Sequence, residues 1–465
     1  MATINQTRVR RRGISLSPRI PNEVIHERLI LTYLFLMPLV TFEAFPLPTI
    51  AILGVSGLGV LALLTSARGT LARMRISTAA IAFLGWCLIS ATWVYDSTLF
   101  VNKSERFLIP AFIFLAIGAS IPAELIVRGF LTGYYTLLGY IVFTLVTNPG
   151  ARVQAATLNE GALPGWHGPF NHKNAMSTLL VVGVVFLLAF ETRRCVRWTA
   201  FSVIAVLLIG SRSGTGLAGI IFVITAWNWL RNFVRQQKRM TAPFVFFSFA
   251  GLLVSMVVGL STLPIILAAY GKDATFTGRT NIWSGVLWAI ERRPLMGYGY
   301  GGVWISENVE PTFSMMRRIG FRAFHAHNGA LDLILQVGVI GIVLFMCLFV
   351  PTLVSSLRLA RRGSSVGAVI VVAGLAIAVM SLSESLFLGP WIPFICLCRG
   401  ITLRAEQSPR RTSWRNTTAV GRQSCRVMPR SRKPLMRPCR LHKFMTCAPT
   451  RILFIECLFQ SGRTL

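Results

Sequence analysis

Long apolar runs alternate along this chain with short basic segments. The runs fall at about 29–45, 48–65, 78–95, 107–121, 125–147, 174–190, 197–210, 214–230, 243–268, 328–350, 366–383 and 386–398. Most approach the ~20 mostly apolar residues that a helix needs to cross a bilayer. The Gly and Pro residues inside them (Pro38, Gly57, Gly59, Pro110) are tolerated in membrane helices, whose backbone groups find partners within the bundle. The pattern predicts an all-α, polytopic membrane protein of about 12 transmembrane helices, with one long loop between helices 9 and 10.

Composition agrees. The chain is 54% hydrophobic and 14% charged, with a mean hydropathy of +0.62, where soluble domains carry about 25% charged residues. A net charge of +31 by itself suggests nucleic acid as a partner. The basic residues, however, form clusters between apolar runs rather than a stripe on a soluble fold, which excludes that reading. Those at Arg68/Arg73/Arg75, Arg128, Arg193/Arg194/Arg197, Arg231/Arg235/Lys238/Arg239 and Arg358/Arg361/Arg362 fall in alternate loops. The positive-inside rule then places these loops and both termini in the cytoplasm.

Three regions follow: a basic cytoplasmic N-terminus over 1–28, a transmembrane domain over 29–398 that includes an outside loop at 269–327, and a tail over 399–465. Arg8 and Arg10 to Arg12 lie too far ahead of the first apolar run, and without a small-residue cleavage site, to act as an export signal. The tail is basic, holds Glu406 and Glu456 as its acids and lacks apolar periodicity, so it is expected to be disordered. Its abrupt change of character suggests a frameshifted read-through. The cysteines show neither a paired ligand spacing nor a disulfide framework.

Two outside segments, about 148–173 and 269–327, are too long to be simple connections. In the second, Ile282, Trp283, Val286, Leu287 and Ile290 recur at helical spacing, with Arg292 and Arg293 suited to a C-terminus and Pro294 to a stop. This predicts an amphipathic helix on the membrane surface or capping the bundle. The glycines that follow (Gly297, Gly299, Gly301, Gly302) lack the strand and βαβ setting of a dinucleotide site and read as a flexible turn.

His167, His172, His325 and His327 all lie in these two segments. His325 and His327, two residues apart before a span, are candidates to take a proton near neutral pH. Asp332 is badly spaced to orient His327, and two His without a nearby carboxylate cluster do not make a metal-ligand set. Outside arginines are either snorkelling at headgroups or capturing phosphate through the guanidinium fork. Arg212, in the turn Gly210-Ser211-Arg212-Ser213-Gly214, and Arg279, in Thr277-Gly278-Arg279-Thr280, are the leading candidates for capture.

Ser211-Arg212-Ser213-Gly214, Thr277-Gly278-Arg279-Thr280-Asn281-Ile282-Trp283, Arg293-Pro294-Leu295-Met296-Gly297-Tyr298-Gly299, Ala326-His327-Asn328-Gly329 and Phe170-Asn171-His172-Lys173-Asn174 together resemble the O-antigen ligase and polysaccharide polymerase superfamily. The resemblance is strongest to its exopolysaccharide-production, succinoglycan-type branch. It covers about residues 30–390, and the chain departs from it after about Pro393.

The resemblance implies a metal-independent glycosyltransferase of the bacterial inner membrane with no cofactor. It would join polyprenyl-pyrophosphate-linked oligosaccharide repeat units at the periplasmic face. Membrane lipid, a chain-length regulator and a flippase would be its other partners. His327 would be the base, Arg212 and Arg279 would hold the pyrophosphate, and His325, His172, Lys173 and Arg322 would be secondary candidates. A ligase transferring polymer to a lipid-A core shares every motif. A polysaccharide or small-molecule transporter is the rival from another class. It would need ionisable residues at mid-span, and the few present, such as Glu43 and Glu384, lie near span ends.

Overall fold

The structure, a computed structural model, describes residues 22–41, 49–65, 75, 77–95, 97–152, 165–235, 279–304 and 309–407. Residues 1–415 and 416–465 form two separate units, and every described residue lies in the first. All regular structure among them is helical: α1 (Asn22–Thr41), α2 (Thr49–Leu64), α3 (Thr78–Ile89), α4 (Ser97–Lys103), α5 (Ile109–Ser120), α6 (Ala123–Thr147) and α7 (Lys173–Phe190), then α8 (Arg194–Ser211), α9 (Gly214–Arg235), α10 (Arg279–Arg292), α11 (Thr312–Ile319), α12 (Gly329–Arg361), α13 (Ser365–Met380) and α14 (Trp391–Gln407).

Eleven of the twelve apolar runs coincide with a helix. The ninth, 243–268, lies outside the described residues. By length and composition, 5 helices (α6, α7, α8, α9 and α12) can cross a membrane, and α2, α3 with its following 3₁₀ turn, and α13 are shorter apolar helices. On α12 the exposed residues Val339, Val343, Met346, Val350 and Val354 form one stripe at helical spacing. An apolar stripe turned outward is a lipid-facing surface.

Two helices run past the expected region bounds. Helix α1 starts at Asn22, ahead of the first apolar run, and α14 continues to Gln407, past the expected end of the transmembrane domain at 398. Gly400, Ile401, Thr402 and Leu403 are buried in that extension. Its polar residues, which made it look like tail, are bound: Arg399 Nε donates to Ser77 Oγ at 3.3 Å, Glu406 accepts from Ser355 Oγ at 2.6 Å, and Arg404 donates to the Ser120 carbonyl. The rest of the tail lies outside the described residues. Helix α14 crosses α5 at a Gly118–Gly400 contact so close that a Cβ on either would collide with the other helix's backbone.

The glycine run is not a flexible turn. Helix α12 is broken at Gly338 (φ 70°), and the strip from Pro294 to Gly299 lies in the break. Tyr298 and Gly299 N–H donate to the Leu335 and Gln336 carbonyls at 3.0 and 2.8 Å. Val339 and Ile340 N–H donate to the Pro294 and Leu295 carbonyls at 2.8 and 3.3 Å. The Val337 carbonyl accepts from Trp86 Nε1 at 2.8 Å. Five backbone groups of α12 at the break, three carbonyls and two N–H groups, thus meet protein partners away from water. The predicted amphipathic helix is present as α10. It buries Ile282, Val286 and Ala289 against Met315 and Ile319 of α11.

Because the Gly118–Gly400 crossing leaves no room for a side chain, Gly118→Leu should force α5 and α14 apart. A loss of at least about 1–3 kcal/mol is expected from overpacking, read as a lower unfolding temperature in detergent. A conservative swap at lipid-facing Val343 should leave that temperature unchanged.

Candidate active site

Three separate pieces of chain converge on one carboxylate. Glu384 lies in the connection between α13 and α14 and is buried. Its Oε1 accepts from Asn174 Nδ2 at 2.5 Å and lies 3.4 Å from an Arg279 guanidinium nitrogen. The same oxygen is 3.5 Å from His327 Nδ1, within ion-pair range but without hydrogen-bond alignment.

Each contributor is fixed locally. Asn174 is in the first turn of α7, and its Oδ1 accepts from Ser213 Oγ at 2.7 Å. Ser213 Oγ also receives the Gly216 N–H, and Ser211 Oγ receives Ser177 Oγ at 3.0 Å, so both serines of the Ser-Arg-Ser-Gly turn are tied into the bundle. Arg279 opens α10, which is tied to the histidine segment by Trp283 Nε1 donating to the Ala326 carbonyl at 3.0 Å. Asn328 caps α12, its Oδ1 accepting from the N–H groups of Ala330 and Leu331, and Gly329 N–H donates to the Ser381 carbonyl.

His327 itself has φ 49°, and Arg212 has φ 50°. Left-handed backbone costs a side-chain-bearing residue roughly 1–2 kcal/mol. Such outliers persist where surrounding structure enforces them, often at functional positions. Two residues singled out from sequence therefore share this signature, with Trp304 as the third among the described residues.

A cavity of about 280 Å³ opens beside the carboxylate. Its wall includes His172, Asn174, His325 and Glu384 on one part and Lys103 and Asp332 on another. The His325 and His327 rings are 3.9 Å apart between centroids. Burial first, and then neighbouring His327, push the His325 pKa down to about 3, so it is neutral at ordinary pH. Burial works to raise the Glu384 pKa, but His327, His325 and Arg279 outweigh it and hold the carboxyl at about 2. Asp332 does not orient His327: its oxygens take Trp304 Nε1 at 2.8 Å and Gln336 Nε2 at 3.0 Å.

The site residues expected from sequence are only partly brought together. His327, Arg279, His325 and His172 meet around Glu384 and the cavity. Arg212 is exposed at its turn, although the serines on both sides reach the network. Lys173 is buried with its stem near Gly165, and Arg322 is exposed, its guanidinium 5.1 Å from the Phe324 ring that borders the cavity.

In the fold a carboxylate joins the two histidines that stood without one in the local sequence. His325, His327 and Glu384 present possible ligand atoms all within 4.8 Å of one another, because the carboxylate arrives from 384 − 327 = 57 residues downstream. Glu384 and Lys103 are the residues that sequence reasoning missed. Glu384 was visible only as a rare acid at a span end.

Outward-facing apolar helices around a charged chamber define a multi-pass membrane protein with a polar site at its helix ends. Residues 198–346 match the family described as O-Antigen ligase. Over 115 residues the chain is 30% identical to the exopolysaccharide production protein ExoQ of Rhizobium meliloti (strain 1021), covering 24% of this chain. The match spans about a quarter of that relative's length, 26%. Both matches cover only a part of this chain. Arg212, Arg279, His325 and His327 fall inside the family match, whereas His172, Asn174 and Glu384 fall outside it.

Two outcomes test this geometry. Glu384→Ala leaves buried positive groups without their counter-charge, so a loss of about 3–5 kcal/mol in folding stability is expected, with Glu384→Gln milder because it keeps the Asn174 contact. Thermal unfolding in detergent reads both. For His325, the folded pKa of about 3 lies below the ordinary 6.5, so the unfolded chain binds a proton first as pH falls. Stability should then decline from pH 6.5 toward 3, and His325→Gln should flatten that decline.

Proposed function

We propose that the protein is an exopolysaccharide polymerase that joins polyprenyl-pyrophosphate-linked oligosaccharide repeat units at the periplasmic face of the bacterial inner membrane. The observation that carries this reading is His327 Nδ1 at 3.5 Å from Glu384 Oε1, with Arg279 on the same carboxylate and the His327 ring 3.9 Å from that of His325, which lines the chamber. With its proton on Nδ1, the Glu384 side, His327 has Nε2 left to accept a proton. An acceptor sugar hydroxyl gives its proton to Nε2 as its oxygen bonds to the anomeric carbon of the donor. The bond from that carbon to the pyrophosphate oxygen breaks, and polyprenyl pyrophosphate leaves with the electron pair. Glu384 stabilises the imidazolium, in the manner of the carboxylate in a hydrolase triad.

Arg279 and Arg212 are assigned to the pyrophosphate. A guanidinium has five N–H donors, so one edge of Arg279 can rest on Glu384 while another faces the anion. The reaction is assigned as metal-independent. Support comes from Arg279, which already brings a positive charge to the Glu384 oxygen that a cation would use. Activity retained in excess chelator is the check.

The chain is taken to cross the membrane about 12 times with both termini cytoplasmic, so that the histidine segment faces the periplasm. A chain-length regulator and a flippase are its expected partners. The exopolysaccharide part of this reading draws on the name of the matched relative, the polymerase step rests on the branch resemblance of the motifs, and the description of the matched family supports the ligase alternative.

His327→Ala should lower polymer formation about 10²–10⁴-fold, the usual cost of losing a general base, at unchanged protein level. In cells complemented with this variant, loss of a polymerase leaves single repeat units on the lipid carrier. Loss of a ligase leaves long polymer there instead. Normal polymer would remove His327 from the mechanism, and a reporter fused at Val309 should read periplasm.

A further inference from the structure

The outside loop is rich in arginines that the proposed reaction does not use. Arg292, Arg293, Arg317, Arg318 and Arg322 are all exposed, and each lies over an aromatic ring. Arg292 and Arg318 share one ring, their guanidinium carbons 3.7 and 4.7 Å from the Trp288 centroid. Arg293 lies 5.1 Å from the Tyr298 ring. A guanidinium that meets a ring by its face keeps N–H groups for an anion; Arg292 spends one of its five on the Trp288 carbonyl at 2.9 Å.

The fold sets the depth of this belt. From Gly338 to Arg358 of α12 is 358 − 338 = 20 residues, about 30 Å of helix and one hydrocarbon thickness. Between these points runs the exposed stripe of Val339, Val343, Met346, Val350 and Val354. The break at Gly338 therefore sits at one membrane boundary when the arginines at the other end sit at the opposite one. Pro294 and Leu295 are hydrogen-bonded into that break, so Arg292 and Arg293, just before them, lie at headgroup level. Leu287, Leu295, Met296, Phe313 and Phe324 are exposed among the arginines.

We infer that this arginine–aromatic belt is a binding surface for anionic phospholipid headgroups, seating α10 and α11 on the bilayer beside the chamber. Exposed apolar side chains interleaved with arginines at a hydrocarbon boundary are what a lipid surface recognises. An acidic polysaccharide, the competing anion, gives no reason for Leu295 and Met296 to be exposed at that depth. The inference does not depend on what reaction the chamber performs.

The test is hydrogen–deuterium exchange of the full-length protein in nanodiscs of phosphatidylcholine alone or mixed equally with phosphatidylglycerol. Phosphatidylglycerol should slow exchange over 285–298 and 312–324 about fivefold or more, the effect of even one arginine held at an anionic surface. High salt should abolish the difference. Replacing all of Arg292, Arg293, Arg317, Arg318 and Arg322 by Gln should erase it while exchange in α7 stays unchanged, showing that the bundle is intact. Equal exchange in the two lipids would overturn the inference, as would protection that survives the fivefold substitution. Protection by soluble polygalacturonate in phosphatidylcholine nanodiscs, without protection by phosphatidylglycerol, would overturn it in favour of a polysaccharide surface.

Discussion

A carboxylate taken out of water must be matched by donors and positive charge, or it is neutralised. Glu384 meets that constraint by drawing in Asn174 from α7, Arg279 from α10 and His327 from the start of α12. Each partner brings its own attachments: the Ser213 turn through Asn174, the histidine segment through Trp283, the end of α13 through Gly329. The chamber is therefore organised around one negative charge, with the strained backbone of His327 a cost borne by this surrounding network. The lipid-facing helices supply the scaffold, and the ion pairs set which of their ends meet.

Much of this was legible in the sequence. Helices that cross lipid must be long, apolar and internally hydrogen-bonded, so the runs announced α6 to α9 and α12 directly. His327, Arg279 and Arg212 stood out because polar residues on outside loops have no packing role to explain them. Glu384 did not, because its partners are remote: Asn174 is 384 − 174 = 210 residues away. No local spacing rule records such a meeting. An isolated acid at a span end looks the same whether it faces water or a buried arginine.

The two misreadings share a cause. The glycines at 297–302 and the polar stretch at 399–407 were judged by composition, which describes what a segment does when alone. In the bundle, the glycines let a strip of backbone fill the break in α12, where a side chain at Gly297 or Gly338 would collide with main-chain atoms. Arg399, Arg404 and Glu406 find Ser77, Ser120 and Ser355 on three other segments. Tertiary partners decided both.

The order of synthesis gives the position of Glu384 a temporal meaning. In a growing chain the histidine segment precedes Glu384 by 384 − 327 = 57 residues, and α14, which seals against α5 through Gly118 and Gly400, comes later still. Until then Arg279 and His327 have no anion to hold them in place. A half-made chain therefore carries a cluster of basic groups without their shared carboxylate. The chamber comes into being only when the connection between α13 and α14 is in place.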